Sequence, residues 1–222
     1  MITSSSNSKI KHVCQLVTKA KARRTEQLFV VEGIRMAKEA PKELLKEVYV
    51  STSFLQKKEQ SKLLETLSVP YEEVSDDVFA KMSDTVTPQG VLCVLRQPSY
   101  DLDELLGRDG TFLVLEDIQD PGNLGTVIRS AVAFGCDGLI LSEDCADIYS
   151  SKTIRASMGT IFDCPLWVVK DTGSTVNALR KNGFSVYGSA LDREAVTLQA
   201  LPFSPHACFL LGNEGHGLPE EL

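Results

Sequence analysis

Four polar segments in the second half of the chain contain side chains that could do chemistry, and each follows an apolar run. They are EDIQDPGNLGTVIR (116–129), SKTIRASMG (151–159), GSALD (188–192) and LGNEGHGL (211–218). Asn123, Arg129 and Glu214 supply an amide, a guanidinium and a carboxylate. Such groups can orient a reacting hydroxyl and stabilise negative charge as it develops. These segments are therefore candidates for one active site.

The stretch GNEGHG (212–217) resembles a nucleotide loop only superficially. A dinucleotide site needs the spacing GxGxxG after a first strand, opening a helix, with an acid about 20 residues later. Here the spacing is GxxGxG, Glu214 lies inside the loop and Pro219 follows it. The carboxylate would repel a pyrophosphate. A cofactor with a cationic centre and a neutral adenosine fits better, because backbone amides and carbonyls can bind adenine without a phosphate.

The first segment combines a turn with the start of a helix. Asn123 is predicted to cap a helix that starts at Leu124, and Arg129 lies within its first two turns. A plain helix cap is the alternative role for Asn123, and a surface salt bridge is the alternative for Arg129. The apolar neighbours of Arg129 predict surroundings that are more buried than a surface salt bridge implies.

Alternating strands and helices must position these groups. After residue 110 the strands TFLVLED, GLILSE, PLWVVK, FSVYGSAL and HACFLLG predict a parallel sheet, whose ligand site lies at the carboxyl ends of its strands. Before residue 99 the strands LFVVEG, LKEVYVS, VPYEEVS and GVLCVLR alternate with helices and predict a small α/β layer domain. We therefore assign domains to residues 1–98 and 111–222, joined by a linker at 99–110.

The charge is unevenly distributed along the chain. The net charge is −7 overall, with +3 in residues 1–98 and −10 in residues 99–222. Six basic residues precede the first acidic one, Glu26: Lys9, Lys11, Lys19, Lys21, Arg23 and Arg24. Phosphate contact requires such a local basic surface, whatever the total charge. A solvated helix face is the alternative interpretation of the same residues.

Composition restricts where the protein acts. No apolar run reaches the roughly 18 residues that a membrane span needs, and the N-terminal MITSSSNSKIKHV lacks the apolar core of a secretory signal. The six cysteines are scattered without a CxxC pair, which argues against a zinc site. We expect reduced thiols, a cytoplasmic location, no membrane partner and no metal.

Two of these motifs together resemble a known family. DPGNLGTVIRSAVAFG and LLGNEGHGLPEEL resemble motifs 1 and 2 of the SpoU/TrmH-type RNA ribose 2′-O-methyltransferases, in the SPOUT superfamily. The N-terminal SSSNSKIKHVCQLVTKAKARRTEQLFVVEGIRMAKEA resembles the small RNA-recognition domain of the members that act on ribosomal RNA. The resemblance implies a trefoil-knotted α/β catalytic domain, S-adenosylmethionine as methyl donor, and a homodimer with active sites at the subunit interface.

The resemblance also implies roles for individual residues. Asn123 and Arg129 match the asparagine and arginine of motif 1, and Glu214 matches the glutamate of motif 2. By similarity, the cofactor is bound by residues at two strand ends: Ser189, Ala190, Leu191, Leu211, Gly212 and Asn213. The family's motif 3, which completes the knot, does not follow motif 2 before Leu222, so we expect the knot segment to be incomplete.

These implications lead to one leading function and one alternative. The leading function is methyl transfer from S-adenosylmethionine to a ribose 2′-hydroxyl of structured RNA, in particular ribosomal RNA. Arg129 acts either as the base or, in the interpretation that we prefer, as a clamp for phosphate and the forming alkoxide. Glu214 then orients Arg129 or the loop. The alternative is an RNA-binding module with an inactive or truncated methyltransferase domain.

Overall fold

A computed structural model of the chain describes residues 1–67, 69–107, 109–190, 193, 195–202 and 204–222. In these ranges the helices are α1 (Ser8–Thr18), α2 (Ala20–Glu26), α3 (Ile34–Glu39), α4 (Thr52–Leu55), α5 (Lys58–Thr66), α6 (Asp76–Met82), α7 (Leu102–Leu106), α8 (Pro121–Ala133), α9 (Ser151–Ser157) and α10 (Thr172–Lys181). The strands are β1 (Leu28–Glu32), β2 (Leu45–Ser51), β3 (Tyr71–Val74), β4 (Val91–Arg96), β5 (Gly110–Leu115), β6 (Gly138–Ser142), β7 (Leu166–Val169), β8 (Ser185–Gly188) and β9 (His206–Leu211). No helix in the described ranges is long and apolar enough to cross a membrane.

The chain forms two compact units, each with one sheet. Unit 1 comprises Met1–Pro98 and Tyr149–Phe162, and unit 2 comprises Ser99–Ile148 and Asp163–Leu222. The sheet of unit 1 has the order β1-β4-β2-β3, in which β4 is antiparallel to both neighbours and β2 and β3 are parallel. The sheet of unit 2 has the order β7-β6-β5-β9-β8, and all its pairs are parallel. The predicted α/β class and the parallel sheet are confirmed.

The central strands of unit 2 are buried because their sequences are almost continuously apolar. Every residue of β6 is buried, as expected of a parallel strand that is covered on both faces. Phe112 of β5 packs in one cluster with Trp167 and with Leu105, which is fully buried. Leu105 belongs to α7, so the segment 99–110, interpreted from its composition as a linker, contains a helix that packs into this core.

Helix α1 illustrates how the sequence of unit 1 sets its structure. The Asn7 side chain accepts a hydrogen bond from the Lys9 N–H and caps the helix. Ile10, Val13 and Leu16 recur at helical spacing and are all buried in the core of unit 1. The helix therefore forms where apolar residues recur at helical spacing and one face can be buried.

Candidate active site

The candidate site lies at the carboxyl ends of three adjacent strands of unit 2. The sheet order places β5 next to β9 and β9 next to β8. The segments that follow these strands start at Glu116, Gly212 and Ser189, so three of the four polar segments meet along one edge of the sheet. The fourth, 151–159, belongs to unit 1.

Helix α8 begins earlier than its sequence suggested, which changes the role of Asn123. The helix starts at Pro121, and Asp120 caps it by accepting a hydrogen bond from the Asn123 N–H at 2.9 Å. Proline suits the first helical position, where no partner for its missing N–H is needed. The prediction that Asn123 caps a helix starting at Leu124 is therefore wrong. Asn123 lies in the first turn, and its side chain can bind elsewhere.

The segment after β9 folds into a tight hairpin. The Asn213 N–H donates to the Gly217 carbonyl at 3.0 Å, and the Gly217 N–H donates to the Asn213 carbonyl at 2.9 Å. Gly217 has a φ of +72°, which favours glycine at the end of such a three-residue loop. The hairpin folds back over Gly212, where a Cβ would lie 2.2 Å from the Gly217 carbonyl oxygen. Gly212 is thus required for the loop to close on itself.

Asn123 and Glu214 connect the two segments directly. The Asn123 side-chain amide donates to Glu214 Oε1 at 2.9 Å, and the Gln119 N–H donates to Glu214 Oε2 at 3.3 Å. These bonds stabilise the ionised carboxylate, so the pKa of Glu214 lies below its ordinary value, with the Asn123 bond as the main cause. A carboxylate with a lowered pKa is a weaker proton acceptor. The geometry therefore favours Glu214 as the residue that orients the loop.

Arg129 lies on the exposed face of α8. Its surroundings are not more buried than those of a surface residue, contrary to the prediction from its apolar neighbours. Those neighbours face the core instead, as Ile128 does with no exposed surface. Within the described residues the guanidinium has no hydrogen-bond or ion-pair partner, and Glu214 binds Asn123 rather than Arg129. Arg129 is thus accessible to an anionic ligand.

The ends of β8 and β9 present backbone groups at the same edge. The Ser189 N–H donates to the Leu210 carbonyl at 3.0 Å, and the Leu211 carbonyl accepts from the Glu116 N–H at 2.9 Å. The next rung of the β8–β9 ladder would join the Gly212 N–H to the Ser189 carbonyl. In the described part of the chain neither of these two groups has a partner. Ala190 is exposed beside them, and Leu191 lies outside the described residues.

Glu116, the first residue after β5, has an unusual carboxylate. Its Oε2 atom is buried and has no hydrogen-bond partner among the described residues. Burying a carboxylate oxygen without a partner costs free energy, so such an atom is expected where a ligand completes its contacts. Glu116 was not predicted as a site residue, although an acid directly after an apolar strand is visible in the sequence.

The six basic residues predicted to contact RNA divide into three groups. Lys11, Lys19, Lys21 and Arg24 are exposed. Lys9 is exposed too but forms an ion pair with Glu72, which raises its pKa. Arg23 is 4% exposed, and its Nη1 donates to the carbonyls of Leu16 (2.6 Å) and Val17 (3.0 Å) at the end of α1.

The prediction that Arg23 presents its charge to RNA is therefore corrected, because its guanidinium is buried. The last carbonyls of a helix have no partner within the helix, and a buried guanidinium satisfies two of them here. A run of basic letters cannot distinguish this residue from Arg24, its exposed neighbour.

The comparisons with known proteins agree with this architecture. Residues 110–222 match the model of the SpoU rRNA Methylase family. The chain belongs to this family. Residues 7–93 also match the MRM3-like substrate binding domain.

Two relatives of this chain have names that state the nucleotide concerned. The 23S rRNA (guanosine(2553)-2′-O)-methyltransferase RlmP of Bacillus subtilis is 34% identical over 225 residues, which cover 100% of this chain and 85% of the relative. The 23S rRNA (uridine(2479)-2′-O)-methyltransferase of Streptomyces viridochromogenes is 32% identical over 162 residues, which cover 70% of this chain and 56% of the relative.

Solved structures give the same fold. An AdoMet-bound rRNA methyltransferase from Sinorhizobium meliloti matches with a TM-score of 0.84 at 27% identity, covering 98% of this chain and 82% of that one. The SpoU methyltransferase AviRb from Streptomyces viridochromogenes, in complex with AdoMet, matches with a TM-score of 0.81 at 26% identity, covering 96% and 83%.

The residues at the sheet edge fit S-adenosylmethionine. The Gly212 N–H and the Ser189 carbonyl, which have no partner in the described ranges, offer one donor and one acceptor, as an adenine edge requires. The unpaired Glu116 oxygen can accept from a hydroxyl or an ammonium group. The described residues contain no group of three or more His, Cys, Asp or Glu that could hold a metal ion.

Proposed function

We propose that the protein transfers a methyl group from S-adenosylmethionine to a ribose 2′-hydroxyl of ribosomal RNA. The observation that carries this proposal is the hydrogen bond of 2.9 Å between Asn123 and Glu214. It joins the two motif segments of the SpoU family at the carboxyl edge of the parallel sheet, where ligands bind in such folds. Similarity to RlmP over the whole of this chain supports the assignment to ribosomal RNA.

The bound cofactor supplies an electrophilic methyl group on a positively charged sulfur. The chain's own residues then have to bind and orient the hydroxyl and stabilise its negative charge, while its proton passes to solvent and S-adenosylhomocysteine is the leaving group. Arg129 is exposed and lacks a partner among the described residues, so it can contact an RNA phosphate or the forming alkoxide. A guanidinium keeps its proton at neutral pH, which favours this clamp role over that of base. Asn123 and Glu214 hold the two segments in register.

The assay for this function uses the full chain, S-adenosylmethionine with a labelled methyl group, and ribosomal RNA that lacks the modification. We expect transfer to one ribose, mapped by its resistance to alkaline cleavage. Arg129→Ala should reduce the rate by about a hundredfold or more, whereas Lys170→Ala, at an exposed position of the same unit, should not. RNA binding without cofactor binding would instead support the alternative of an RNA-binding module.

The pH dependence of the methylation rate distinguishes the clamp role of Arg129 from the role of a base. If Arg129 is a clamp, Arg129→Lys should keep part of the activity and should not change the shape of the pH–rate profile. If Arg129 were the base, Arg129→Lys would recover activity at high pH with an apparent pKa in the ordinary range of lysine.

We propose that RNA contacts the exposed basic residues of α1 and α2. Neutralising Lys11, Lys19, Lys21 and Arg24 should weaken RNA binding and reduce the slope of log affinity against log salt by about one for each residue that contacts a phosphate. The matched control also removes four positive charges, by neutralising Lys42, Lys46, Lys57 and Lys62, which are exposed elsewhere in unit 1. An equal loss in both variants would indicate a general effect of charge.

We also propose that the protein forms a homodimer and acts in the cytoplasm. Phe134, at the end of the helix that carries Arg129, is 87% exposed, and a second copy of the chain would cover it. Phe134→Asp should shift the mass in analytical ultracentrifugation from dimer to monomer. Val86→Asp, at a fully exposed apolar residue of unit 1, is the control and should leave the mass unchanged.

A further inference from the structure

Asp117 occupies a backbone conformation that few residues adopt. It lies one residue after Glu116 and has a φ of +54°. This left-handed region is costly for most side chains, whereas glycine, asparagine and aspartate tolerate it. The Asp117 N–H donates to Ser142 Oγ at the end of β6, at 3.0 Å. The chain is thus turned sharply at the point where it leaves the sheet.

The turn places two acceptors of Asp117, its backbone carbonyl and one carboxylate oxygen, against one side chain of the motif 2 hairpin. The Asn213 amide Nδ2 donates to the Asp117 backbone carbonyl and to Asp117 Oδ2, each at 2.9 Å. The Asn213 Oδ1 atom accepts from the N–H groups of Gly215 (2.7 Å) and His216 (3.1 Å). All the hydrogen-bonding capacity of the Asn213 amide is therefore used, partly to shape the hairpin and partly to attach it to Asp117.

A second connection runs through Gln119. Its side-chain amide donates to Asp117 Oδ1 and to the Asp144 carbonyl, and its backbone N–H donates to Glu214. The carboxylate of Asp117 thus contacts the hairpin directly through Asn213, and it also holds the residue whose N–H binds Glu214.

We propose that Asp117 is a positioning residue for methyl transfer, which fixes the motif 2 hairpin against the motif 1 segment. It does not touch the reacting atoms. It acts through Asn213 and Gln119, whose bonds keep Glu214 in place beside Asn123. This inference rests on the proposed function, because the reaction defines which geometry has to be kept.

Three substitutions separate the backbone contribution of Asp117 from that of its side chain. Asp117→Asn keeps the tolerance for positive φ and one of the two side-chain acceptors, which can still accept from Asn213 while the bond from Gln119 is lost, so we expect a loss of kcat smaller than that of the glycine variant. Asp117→Gly keeps the turn but loses both side-chain bonds, and we expect about a tenfold loss of kcat. Asp117→Ala loses both bonds and strains the turn, so its loss should be larger than that of the glycine variant. KM for RNA should change little in all three.

A double-mutant cycle tests the connection to the hairpin. Asn213→Ala removes one of the two donors to the Asp117 carboxylate, so combining it with Asp117→Gly should cost less than the sum of the two single losses. Fully additive losses, or wild-type kcat in Asp117→Ala, would overturn the proposal.

Hydrogen exchange gives a readout that does not depend on the reaction. In Asp117→Ala the amides of Gly215, His216 and Gly217 should exchange faster, and in Asp117→Asn they should not. If the unmodified protein transfers no methyl group, the proposed function fails while this exchange difference persists. If transfer occurs but exchange in the hairpin is the same in all variants, the positioning role fails alone.

Discussion

Gly212 provides a sharp test of the site, because alanine would add one methyl group in a place that has no room for it. A Cβ at Gly212 would lie 2.2 Å from both the carbonyl carbon and the oxygen of Gly217, and 2.4 Å from the Leu218 nitrogen. These atoms belong to the backbone and cannot rotate away. Gly212→Ala must therefore open the hairpin that spans Asn213 and Gly217.

The cost of opening can be estimated from the bonds that close the hairpin. Two backbone hydrogen bonds join Asn213 and Gly217, at 3.0 and 2.9 Å. Each contributes about 0.5–1.5 kcal/mol, so opening costs about 1–3 kcal/mol. If cofactor binding requires the closed hairpin, its affinity should fall by about five- to 150-fold.

Calorimetric titration with S-adenosylmethionine measures this loss, and Gly215→Ala is the matched control. At Gly215 a Cβ would meet only Asn213 Oδ1, at 3.4 Å, which is an ordinary contact. We expect Gly215→Ala to bind the cofactor almost normally. Unchanged affinity in Gly212→Ala, together with slow exchange of the Gly217 amide, would refute the reasoning, because the hairpin would then have closed despite the added methyl group.

Three further predictions concern single side chains. The pKa of Glu214 is lowered by its bond from Asn123, so the ionised carboxylate stabilises the fold above pH about 4.5, and this stabilisation is lost as the pH falls through the lowered pKa. Denaturant titrations between about pH 5 and 3 measure this loss. In Glu214→Gln the free energy of unfolding should depend less on pH over that range. Arg23→Ala should lower the free energy of unfolding by about 2–4 kcal/mol, because it removes the hydrogen bonds to the carbonyls of Leu16 and Val17. The slope of log RNA affinity against log salt should not change. Glu116→Gln should stabilise the cofactor-free protein by up to about 1 kcal/mol, since it replaces a carboxylate whose Oε2 atom is buried and has no partner among the described residues, and it should weaken cofactor binding in calorimetry. A destabilised variant with normal affinity would contradict the ligand role.

The sheet elements were predictable because their signals are local. Apolar runs such as GLILS, bounded by glycine and polar residues, identify strands wherever they pack, and the structure has β6 at Gly138–Ser142. Gly135, just after α8, is a second local signal, because glycine accommodates the left-handed residue that follows many helices, and its φ is +75°. The start of α8 was predicted wrongly, because aspartate and asparagine have a similar preference for the capping position and the structure uses Asp120 instead of Asn123.

The contacts of the site could not be predicted in the same way, because they join residues about 90 positions apart. In a sequence, an asparagine that caps a helix cannot be distinguished from one whose side chain binds a distant glutamate. Only the β5–β9 pairing brings Asn123 to Glu214. Arg23 and Arg24 likewise differ only in the side of α2 on which they lie. Tertiary placement decides these roles.

The glycines of the motif 2 hairpin show what this placement adds to a motif. Gly212 is needed because another backbone passes within 2.2 Å of the position of its missing Cβ. Gly217 has open space around it and is needed for its positive φ, so asparagine should replace it better than alanine does. Gly215 meets neither constraint. A pattern written as GxxGxG treats the three alike, whereas the structure predicts that steric space limits the first, backbone conformation limits the last, and the middle one is free to vary.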